Sequence, residues 1–437
     1  MWFDESVFYQ IYPLGYCGAE RENDFGETRH RLYKIRDEIP KLKELGVKAV
    51  LFNPLFESER HGYDTVDFFK VDRRLGTNEE FKELVSDFHR AGIKVVLDGV
   101  FHHAGREFFP FKEVREKREG TDYRFWFNID FYNNSAYNDG FNYDNWEGHP
   151  ELVKLRLENN DLVNYLMEAV RFWIGGFDID GLRLDVCYSL PYWFIERLRA
   201  EANALKPDFY LVGEVIHIGN FRDAVSPNRL DSVTNYECYK GLVSAFNSDN
   251  LFEIEHSLTR LFGAEPWCLY TGKNLLSFAD NHDVPRLATQ LADRRKIYAL
   301  YTVLFTMPGI PCVYYGSEYG KEGAKGDNDI HLRPDIKEVD MTACPELFAH
   351  IRMLCGIRTS SRALAYGNYE KKFLQNKYFC FRRFFEGEDV FTAANISDVP
   401  VTFYVCEGEG EDLLSGETCS LREVFLAPFS SRVIKRK

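Results

Sequence analysis

Residues 78–100 read NEEFKELVSDFHRAGIKVVLDGV, a helical pattern followed directly by a strand pattern. In the first part, apolar residues recur at helical spacing, and Asn78 with the acidic residues after it is typical of a helix cap and first turn. The second part is a β-branched apolar run that reaches Asp98. An acid just past the last buried residue of a parallel strand points into the mouth of an α/β sheet or barrel, where active sites are built. The stretch therefore predicts a helix–strand unit with a functional carboxylate.

The same unit recurs along most of the chain. Strand patterns occur at SVFYQIYP (6–13), KAVLFN (48–53), KVVLDGV (94–100), DGLRLDV (180–186), FYLVGEV (209–215), SVTNYE (232–237), LLSFAD (275–280) and PCVYYGSE (311–318). Helical patterns lie at about residues 33–45, 78–91, 159–174, 191–205, 250–262 and 288–306. Eight strands with helices between them predict a (β/α)8 TIM barrel.

Two stretches interrupt this rhythm and divide the chain into domains. After the third strand comes a long segment rich in Phe, Tyr, Asn and Gly, which is more typical of a small lobe than of a loop. After about residue 362, alternating apolar and polar residues replace the helical period, as expected for an antiparallel β-sandwich. We predict a barrel from residues 1–103 and 156–361, an inserted domain over 104–155, and a C-terminal β-sandwich over 362–437.

Composition excludes several classes of function. The formal charge of -14 and the pI near 5.4 leave no net basic surface for nucleic acid. There is no apolar run of about 18 residues, so no membrane span is expected, and no basic, apolar leader opens the chain. The ten cysteines form no CxxC pair, which favours a reducing cytoplasm. Phosphate-binding glycine motifs are missing, so no nucleotide cofactor is implied.

Four acids lie at or just beyond the ends of predicted strands: Asp98, Asp185 and Glu214, and Asp283 three residues after LLSFAD. Glycoside hydrolysis needs one carboxylate as nucleophile or base and one protonated carboxyl as acid. Arg183 lies two residues before Asp185 on the same strand, so its guanidinium can hold that carboxylate ionised. The apolar surroundings of Glu214 favour its neutral form. A purely structural Arg183–Asp185 ion pair is the alternative interpretation.

Histidines accompany two of these acids. His103 follows Asp98, and His282 precedes Asp283, so neutral imidazoles at the strand ends are predicted to hydrogen-bond sugar hydroxyls. A zinc site built from His102, His103 and His282 is disfavoured, because the spacing matches no known helical ligand pattern and no further ligand completes it. Tyr63 is a candidate ring for stacking on a sugar.

The motifs in their order resemble the α-amylase family, glycoside hydrolase family thirteen, and specifically its neopullulanase and cyclomaltodextrinase branch. They are the stretch from LFNPLFESER to GVFHH (51–103), GLRLDV (181–186), LVGEV (211–215), ADNHD (279–283) and PGIPCVYYGSEYG (308–320). The resemblance covers about residues 5 to 361.

This resemblance assigns a role to each candidate residue. It implies Asp185 as the nucleophile, Glu214 as the acid/base, and Asp283 as the third carboxylate, which binds ring hydroxyls. The resemblance also implies that Arg183, His103 and His282 position hydroxyls and carboxylates. It implies that Tyr63 stacks on a sugar ring and that Asp98 is a structural support of the site. The implied mechanism is retaining, through a covalent glycosyl-enzyme.

Departures from the family pattern modify these expectations. His102 stands where the family carries an Asn, and Ser189 where many calcium-dependent amylases carry a His. Hard calcium prefers oxygen ligands, so we predict that the customary structural calcium is absent. Tyr188 and Ile216 replace residues on the acceptor side, which predicts an altered substrate preference. The first strand begins within ten residues of Met1, so the branch's N-terminal domain is expected to be missing, which leaves a monomer or another kind of dimer.

The favoured hypothesis is an intracellular enzyme that hydrolyses α-1,4-glucosidic bonds of maltooligosaccharides and related short α-glucans, with transglycosylation as a side reaction. One alternative is a transglycosylase or isomerase of the sucrose or trehalose type. An alternative from another class is a catalytically inactive sugar-binding protein. Retention of Asp185, Glu214 and Asp283 argues against that last hypothesis.

Overall fold

The computed structural model describes residues 1–217, 219, 221–326 and 329–437. At its centre is a barrel of eight parallel strands whose residues are almost all buried. Such strands are covered on both faces, which is why their sequences are continuous apolar runs. In chain order the barrel strands are Phe8–Ile11, Ala49–Phe52, Lys94–Gly99, Gly181–Leu184, Tyr210–Gly213, Ser232–Val233, Leu276–Phe278 and Ile310–Tyr314.

The barrel is closed by pairing between neighbouring strands. The order is sixth, fifth, fourth, third, second, first, eighth and seventh, and a parallel bridge from Thr234 to Leu276 joins the sixth to the seventh. In the register of the third and fourth strands, Asp98 is paired with Arg183. Because all strands are parallel, their carboxyl ends share one rim, and the acids that follow them meet there.

Helices form the layer outside the barrel. They are Pro13–Tyr16, Tyr33–Arg36, Ile39–Leu45, Asn78–Arg90, Asn160–Phe177, Tyr192–Leu205, Tyr236–Ser248, Phe252–Phe262, Leu287–Gln290, Ile297–Thr306, Pro345–Ser360 and Arg362–Tyr366. Each of the longer ones buries residues at helical spacing; in Asn78–Arg90 these are Phe81, Leu84, Val85 and Phe88. In the described part of the chain, no helix is long and apolar enough to cross a membrane.

Two additions extend from the carboxyl rim. A hairpin of Phe56–Ser58 and Thr65–Val71 follows the second barrel strand. After the third strand, a small lobe contains the helix Phe109–Lys117 and the short strands His103–Ala104, Ile129–Asp130, Asn142–Tyr143, Asn145–Trp146 and His149–Lys154. The strand His149–Lys154 pairs with His103–Ala104, which ties the lobe to the rim beside the third barrel strand.

The C-terminal part consists of antiparallel strands in two sheets. The larger sheet contains Asn368–Gln375, Tyr378–Phe385, Glu388–Asn395, Ser431–Arg436, Glu409–Asp412 and Thr418–Ser420, and the smaller one contains Val401–Phe403 and Val424–Leu426. Phe391 and Ile434 of the larger sheet share a buried cluster with Phe403 and Leu426 of the smaller one. The predicted class, a TIM barrel followed by a β-sandwich, is confirmed.

Some local predictions are wrong. Thr77, not Asn78, caps the helix, because its hydroxyl accepts from the Glu80 N–H at 3.2 Å while the Glu80 carboxylate accepts from the Thr77 N–H at 2.9 Å. The predicted helix over 33–45 is two helices, Tyr33–Arg36 and Ile39–Leu45, and Pro40 at the start of the second lacks the N–H that would bind the preceding turn. The helix Tyr236–Ser248 was not predicted.

Candidate active site

A cavity of about 870 Å³ opens at the carboxyl rim of the barrel. Asp185, Glu214 and Asp283 line it, together with Tyr63 and His103. The other predicted site residues, Asp98, Arg183 and His282, are buried directly against these side chains. The structure thus brings all eight sequence-predicted residues together around one cavity.

Arg183 lies at the centre of the cavity floor. Its guanidinium contacts the carboxylates of Asp98 at 2.5 Å, Glu214 at 2.8 Å and Asp185 at 3.3 Å. The sequence interpretation assigned Arg183 to Asp185, yet its shorter contacts are to the other two acids. The reason is register: the fourth strand pairs with the third and the fifth, which places Arg183 between Asp98 and the start of the Glu214 turn.

A strained turn follows Asp185. Val186 has a φ of 47°, a left-handed conformation that a β-branched residue rarely adopts. This conformation aims the Val186 N–H at Glu214, whose carboxylate accepts it at 3.1 Å. Strain of this kind persists only where the surrounding structure over-determines it, and it is concentrated at functional sites. Here it holds Glu214 in place beside Asp185.

The environment of Asp185 and Glu214 favours retention of a proton. Burial raises the pKa of both carboxyls, and the neighbouring Glu214 raises that of Asp185 further. Arg183 opposes this rise in each case, because its positive charge favours ionised acids. Two adjacent carboxyls with one cation between them can hold one proton and one negative charge near neutral pH. That is the state in which one group can attack and the other can donate.

His282 is held neutral in a network of polar side chains. Burial lowers its pKa to about 3. One ring nitrogen contacts Gln10 at 3.0 Å, and the other faces Asn53 at 3.2 Å and the hydroxyl of Tyr63. The Tyr63 hydroxyl also donates to Asp98 at 3.2 Å. These contacts fix the orientation of His282 and Tyr63 before any substrate binds.

The carboxylate of Asp283 contacts the guanidinium of Arg333 through one oxygen and the imidazole of His282 through the other. Arg333 donates to one of its oxygens at 2.9 Å, and the His282 ring lies 3.0 Å from the other. Burial would raise the pKa of Asp283, but His282 and Arg333 lower it below the ordinary value. The carboxylate is therefore ionised, and it is more accessible than those of Asp185 and Glu214.

His103 presents an unused ring nitrogen to the cavity. Burial holds its pKa well below the ordinary value, so the imidazole is neutral. Its Nε2 lies 3.9 Å from Asp185 and has no hydrogen-bond partner among the described residues. Its Nδ1 lies 3.2 Å from Nδ1 of His102. A neutral imidazole with a free nitrogen beside Asp185 can bind a sugar hydroxyl.

The position of His102 does not fit the calcium that is customary in the family. His102 is buried, and its pKa is lowered to about 4 by burial and then by the positive charge of Lys154. An imidazole beside a lysine is a poor substitute for the oxygen ligands of calcium. Within residues 1–217, 219, 221–326 and 329–437, no group of three or more His, Cys, Asp or Glu side chains is placed to hold a metal ion.

The inserted lobe supplies part of the opposite wall. Trp146 donates from its indole N–H to the Tyr188 hydroxyl at 3.4 Å, and that hydroxyl donates to Glu147 at 2.9 Å. The Trp146 ring stacks on His149 with centroids 5.1 Å apart. Trp146, His149 and Tyr188 line the cavity, as does Ile216, two residues after Glu214.

Sequence reasoning missed several residues of the site. Gln10 and Asn53 lie at or just after strand ends, so the rule that identified the acids would have found them if it had included amides. Arg333 follows no strand, and no sequence signal marked it. Trp146 belongs to the lobe, where local patterns carry little information about direction, and Tyr188 was identified only through the family resemblance.

A match to a family model supports this geometry. Residues 10–353 match the model described as "Alpha amylase, catalytic domain". Maltogenic alpha-amylase of Bacillus acidopullulyticus is 31% identical over 385 residues, which cover 83% of this chain and 64% of the relative. Neopullulanase 2 of Thermoactinomyces vulgaris is 33% identical over 390 residues, covering 84% of this chain and 65% of the relative.

The chain thus spans less than two thirds of the length of these curated relatives. Among solved structures, one described as cyclomaltodextrinase superposes with a TM-score of 0.88 at 27% identity, over 100% of this chain and 78% of the other. The family model covers most of the barrel, and the acids that line the cavity lie within it. The chain therefore belongs to the α-amylase family, glycoside hydrolase family thirteen.

Proposed function

We propose that this chain is a retaining glycosidase that hydrolyses α-1,4-glucosidic bonds in maltooligosaccharides and related short α-glucans. The observation that carries the proposal is the pair Asp185 and Glu214, buried together against Arg183 at the floor of an open cavity. Relatives named maltogenic amylase, cyclomaltodextrinase and neopullulanase support the substrate class.

The two carboxyls divide the chemistry. The Asp185 carboxylate attacks the anomeric carbon and forms a glycosyl ester while Glu214 transfers its proton to the departing glycosidic oxygen. The Glu214 carboxylate then takes a proton from water as that water attacks the same carbon, which releases Asp185 and restores the protonated Glu214. The pair carries one negative charge throughout: it lies on Asp185 in the resting enzyme and on Glu214 in the glycosyl-enzyme, where Asp185 is esterified.

The remaining residues position the reacting sugar. His103, whose buried Nε2 has no partner among the described residues, and the ionised Asp283 line the cavity with Asp185 and can bind ring hydroxyls. Tyr63 offers its ring for stacking, since its hydroxyl is already bound to Asp98. Asp98 and His282 lie beneath the cavity surface. Asp98 positions Arg183, and His282 positions Tyr63.

The cellular setting follows from weaker observations. Every cysteine is free, which suits a reducing compartment, and one relative is named intracellular maltogenic amylase of Bacillus subtilis. We place the enzyme in the cytoplasm, acting on soluble oligosaccharides without a metal or other cofactor.

The test is the reaction of maltotriose followed by NMR and chromatography. Hydrolysis with retention gives glucose and maltose, with the new reducing end appearing first as the α-anomer. If only disproportionation products form, with little free glucose or maltose, the transglycosylase alternative is correct. An initial β-anomer would contradict the covalent mechanism.

Variants separate an enzyme from an inactive sugar-binding protein. Asp185→Ala and Glu214→Gln should each lower turnover by at least about three orders of magnitude with the fold intact. Asp231→Asn is the matched control, because this acid pairs with Arg199 before the sixth strand, at the opposite end of the barrel. Full activity in either site variant would contradict the assignment.

A further inference from the structure

The cavity has two distinguishable ends. A leaving sugar departs toward the proton donor, so the end beside Glu214, with Ile216 and Tyr188, accepts the leaving group. The opposite end, beside Asp283, contains Tyr12 and Arg333, whose guanidinium lies over the Tyr12 ring at 4.7 Å. This second end holds the part of the glucan that stays on the enzyme, which continues toward its non-reducing terminus. We call it the donor end.

One segment after the first barrel strand reaches the donor end. Ala19, Glu20, Arg21 and Glu22 all line the cavity there. They follow the short helix Pro13–Tyr16, so the segment leaves the barrel wall and crosses the rim. A linear glucan that extended past this end would have to pass these residues.

A buried arginine fastens this segment to the rest of the rim. Arg74 is 3% exposed, and its guanidinium donates to the carbonyl oxygens of Glu20 at 2.9 Å and Arg60 at 2.8 Å. Asp72 binds the same guanidinium through both of its oxygens, at 2.9 and 2.7 Å. The carboxylate thus keeps Arg74 in one orientation, and Arg74 joins two cavity-lining segments through their backbone.

Two further residues, Asn23 and Arg31, add four hydrogen bonds to this attachment. The Asn23 side chain donates to the Ser58 carbonyl at 2.9 Å, and its N–H donates to the Glu59 carbonyl at 2.7 Å. Arg31 binds Glu20 through two hydrogen bonds of 2.7 Å. Side-chain and backbone contacts of this number hold the segment in place without a substrate.

The segment leaves two charged groups free at the cavity. Among residues 1–217, 219, 221–326 and 329–437, neither the Arg21 guanidinium nor the Glu22 carboxylate has a hydrogen-bond or ion-pair partner. Both side chains are exposed and both line the donor end. A guanidinium and a carboxylate together can donate to and accept from the hydroxyls of a terminal glucosyl unit.

We infer that Gly18–Asn23 is the wall that closes the donor end, and that Arg21 and Glu22 bind the free 4- and 6-hydroxyls of the non-reducing terminal glucose. Resting on the proposed function, this makes the enzyme an exo-acting hydrolase that counts from the non-reducing end and releases short products of fixed length. The wall sets the number of glucosyl units between the chain terminus and Asp185.

The test compares two substrates that differ only at the non-reducing terminus. One is p-nitrophenyl maltoheptaoside, and the other carries a 4,6-O-ethylidene group on its terminal glucose. The wild type should cleave the free substrate with a kcat/KM at least about 100-fold above that of the blocked one, because blocked hydroxyls leave Arg21 and Glu22 unpaired. In the double variant Arg21→Ala/Glu22→Ala this ratio should fall by about tenfold or more.

The matched control is Glu27→Ala/Arg29→Ala, which removes the same charges from exposed residues of the same connection that do not line the cavity. It should keep the wild-type ratio. Equal cleavage of both substrates by the wild type would overturn the wall while supporting the proposed glycosidase. An unchanged ratio in the Arg21/Glu22 variant would overturn the assignment of these two residues. Cleavage of neither substrate would overturn the proposed function itself.

Discussion

Buried acids differ in their surroundings between the inner face of the barrel wall, which faces the barrel interior, and the outer face, which faces the helices. Two neighbouring residues of the first strand, Tyr9 and Gln10, point to these two faces. Gln10 points inward and hydrogen-bonds Asn53 and His282 beneath the cavity. Tyr9 points outward and donates to Glu318 at 2.6 Å in the layer between barrel and helices. Glu318 on the outer face and Asp98, Asp185 and Glu214 on the inner face are all buried. The inner acids share the guanidinium of Arg183.

The presence of that cation decides what the acids can do. Outside the wall, Glu318 is 2% exposed, and burial raises its pKa to about 7. One of its oxygens has no partner among the described residues. Inside, Arg183 opposes the same effect on Asp98, Asp185 and Glu214. At Glu318 the charges of Lys41 and Arg286 oppose burial without an ion pair, whereas Arg183 contacts the inner acids directly and can retain a charge that reacts.

Removing the inner cation should have the largest effect. In Arg183→Met, we expect kcat to fall at least about 10³-fold, because the pKa values of Asp98, Asp185 and Glu214 all rise and Asp185 loses its ionised form. Since the nucleophile must be deprotonated, the acidic limb of the pH–rate profile should move to higher pH. The measurement is kcat against pH with α-maltosyl fluoride, a substrate reactive enough to report residual turnover.

The control for this change is Arg199→Met. Arg199 is also buried, but it binds the carboxylate of Asp231 at 2.5 Å away from the cavity. Because Arg199 is buried and Asp231 is partly exposed, the loss of Arg199 should lower stability by at most about 3–5 kcal/mol, without moving the acidic limb. If the two variants have the same pH profile, Arg183 does not set the charge state of the site.

The second effect concerns Asp283, where the inner network reaches the cavity surface. Arg333→Ala removes a 2.9 Å charged hydrogen bond and raises the pKa of Asp283 toward its ordinary value. A charged hydrogen bond of this kind contributes about 1.5–3 kcal/mol, so kcat/KM on maltotriose should fall by about 10- to 100-fold. Arg333→Lys should recover part of this loss.

Lys325→Ala is the matched control for Arg333. Its ammonium group donates to the backbone carbonyl of Asp283 at 2.9 Å, and Lys325 also lines the cavity. Its removal should change kcat/KM less than about threefold. An equal loss in both variants would indicate that positive charge at this end matters, rather than the orientation of the Asp283 carboxylate.

The inner face was largely predictable from the sequence, and the outer face was not. A strand that is buried on both sides has a distinctive apolar run, and an acid at or just beyond the end of that run must lie near the rim, which is how Asp98, Asp185, Glu214 and Asp283 were found. Glu318 also follows a strand, but whether it points inward or outward depends on the turn at Gly316, where φ is 86°.

Residues that act through loops gave no such signal. Arg333 reaches Asp283 from a connection 50 residues later in the chain, and Arg74 reaches Glu20 across 54 residues. Nothing local to either sequence shows that contact. The shift in the partners of Arg183 has the same origin, because its closest acids belong to the adjacent strands rather than to its own.

The third effect is on stability and belongs to the outer face. Glu318 has a folded pKa of about 7, above its ordinary value of 4.5, so the folded state holds a proton that the unfolded state has released between these pH values. The wild type should therefore lose stability as pH rises from about 4.5 to about 7 and level off above, by about 3 kcal/mol in total.

In Glu318→Gln this pH dependence should disappear, because the amide is neutral at every pH. Urea unfolding of the wild type and the variant at pH 5 and pH 8 gives the free energy of unfolding of each. The difference between the two proteins should change between these pH values. Glu44→Gln is the control, since Glu44 pairs with Arg352 on the surface. A difference that stays constant between the two pH values would show that Glu318 is ionised in the fold.

The smallest expected effect is that of a chelator. The inner face is expected to bind no calcium. His102 occupies the position of the family's Asn, and the positive charge of Lys154 helps to lower the pKa of His102. Adding EDTA should then change the unfolding temperature by less than about 1 °C, and adding calcium should not raise it, because a ligand stabilises only the state it binds. Differential scanning fluorimetry with either additive measures this directly. If EDTA lowers the unfolding temperature by several degrees and calcium restores it, a bound ion supplies positive charge to the rim in addition to Arg183. Arg183 alone would then not explain the difference between the two faces.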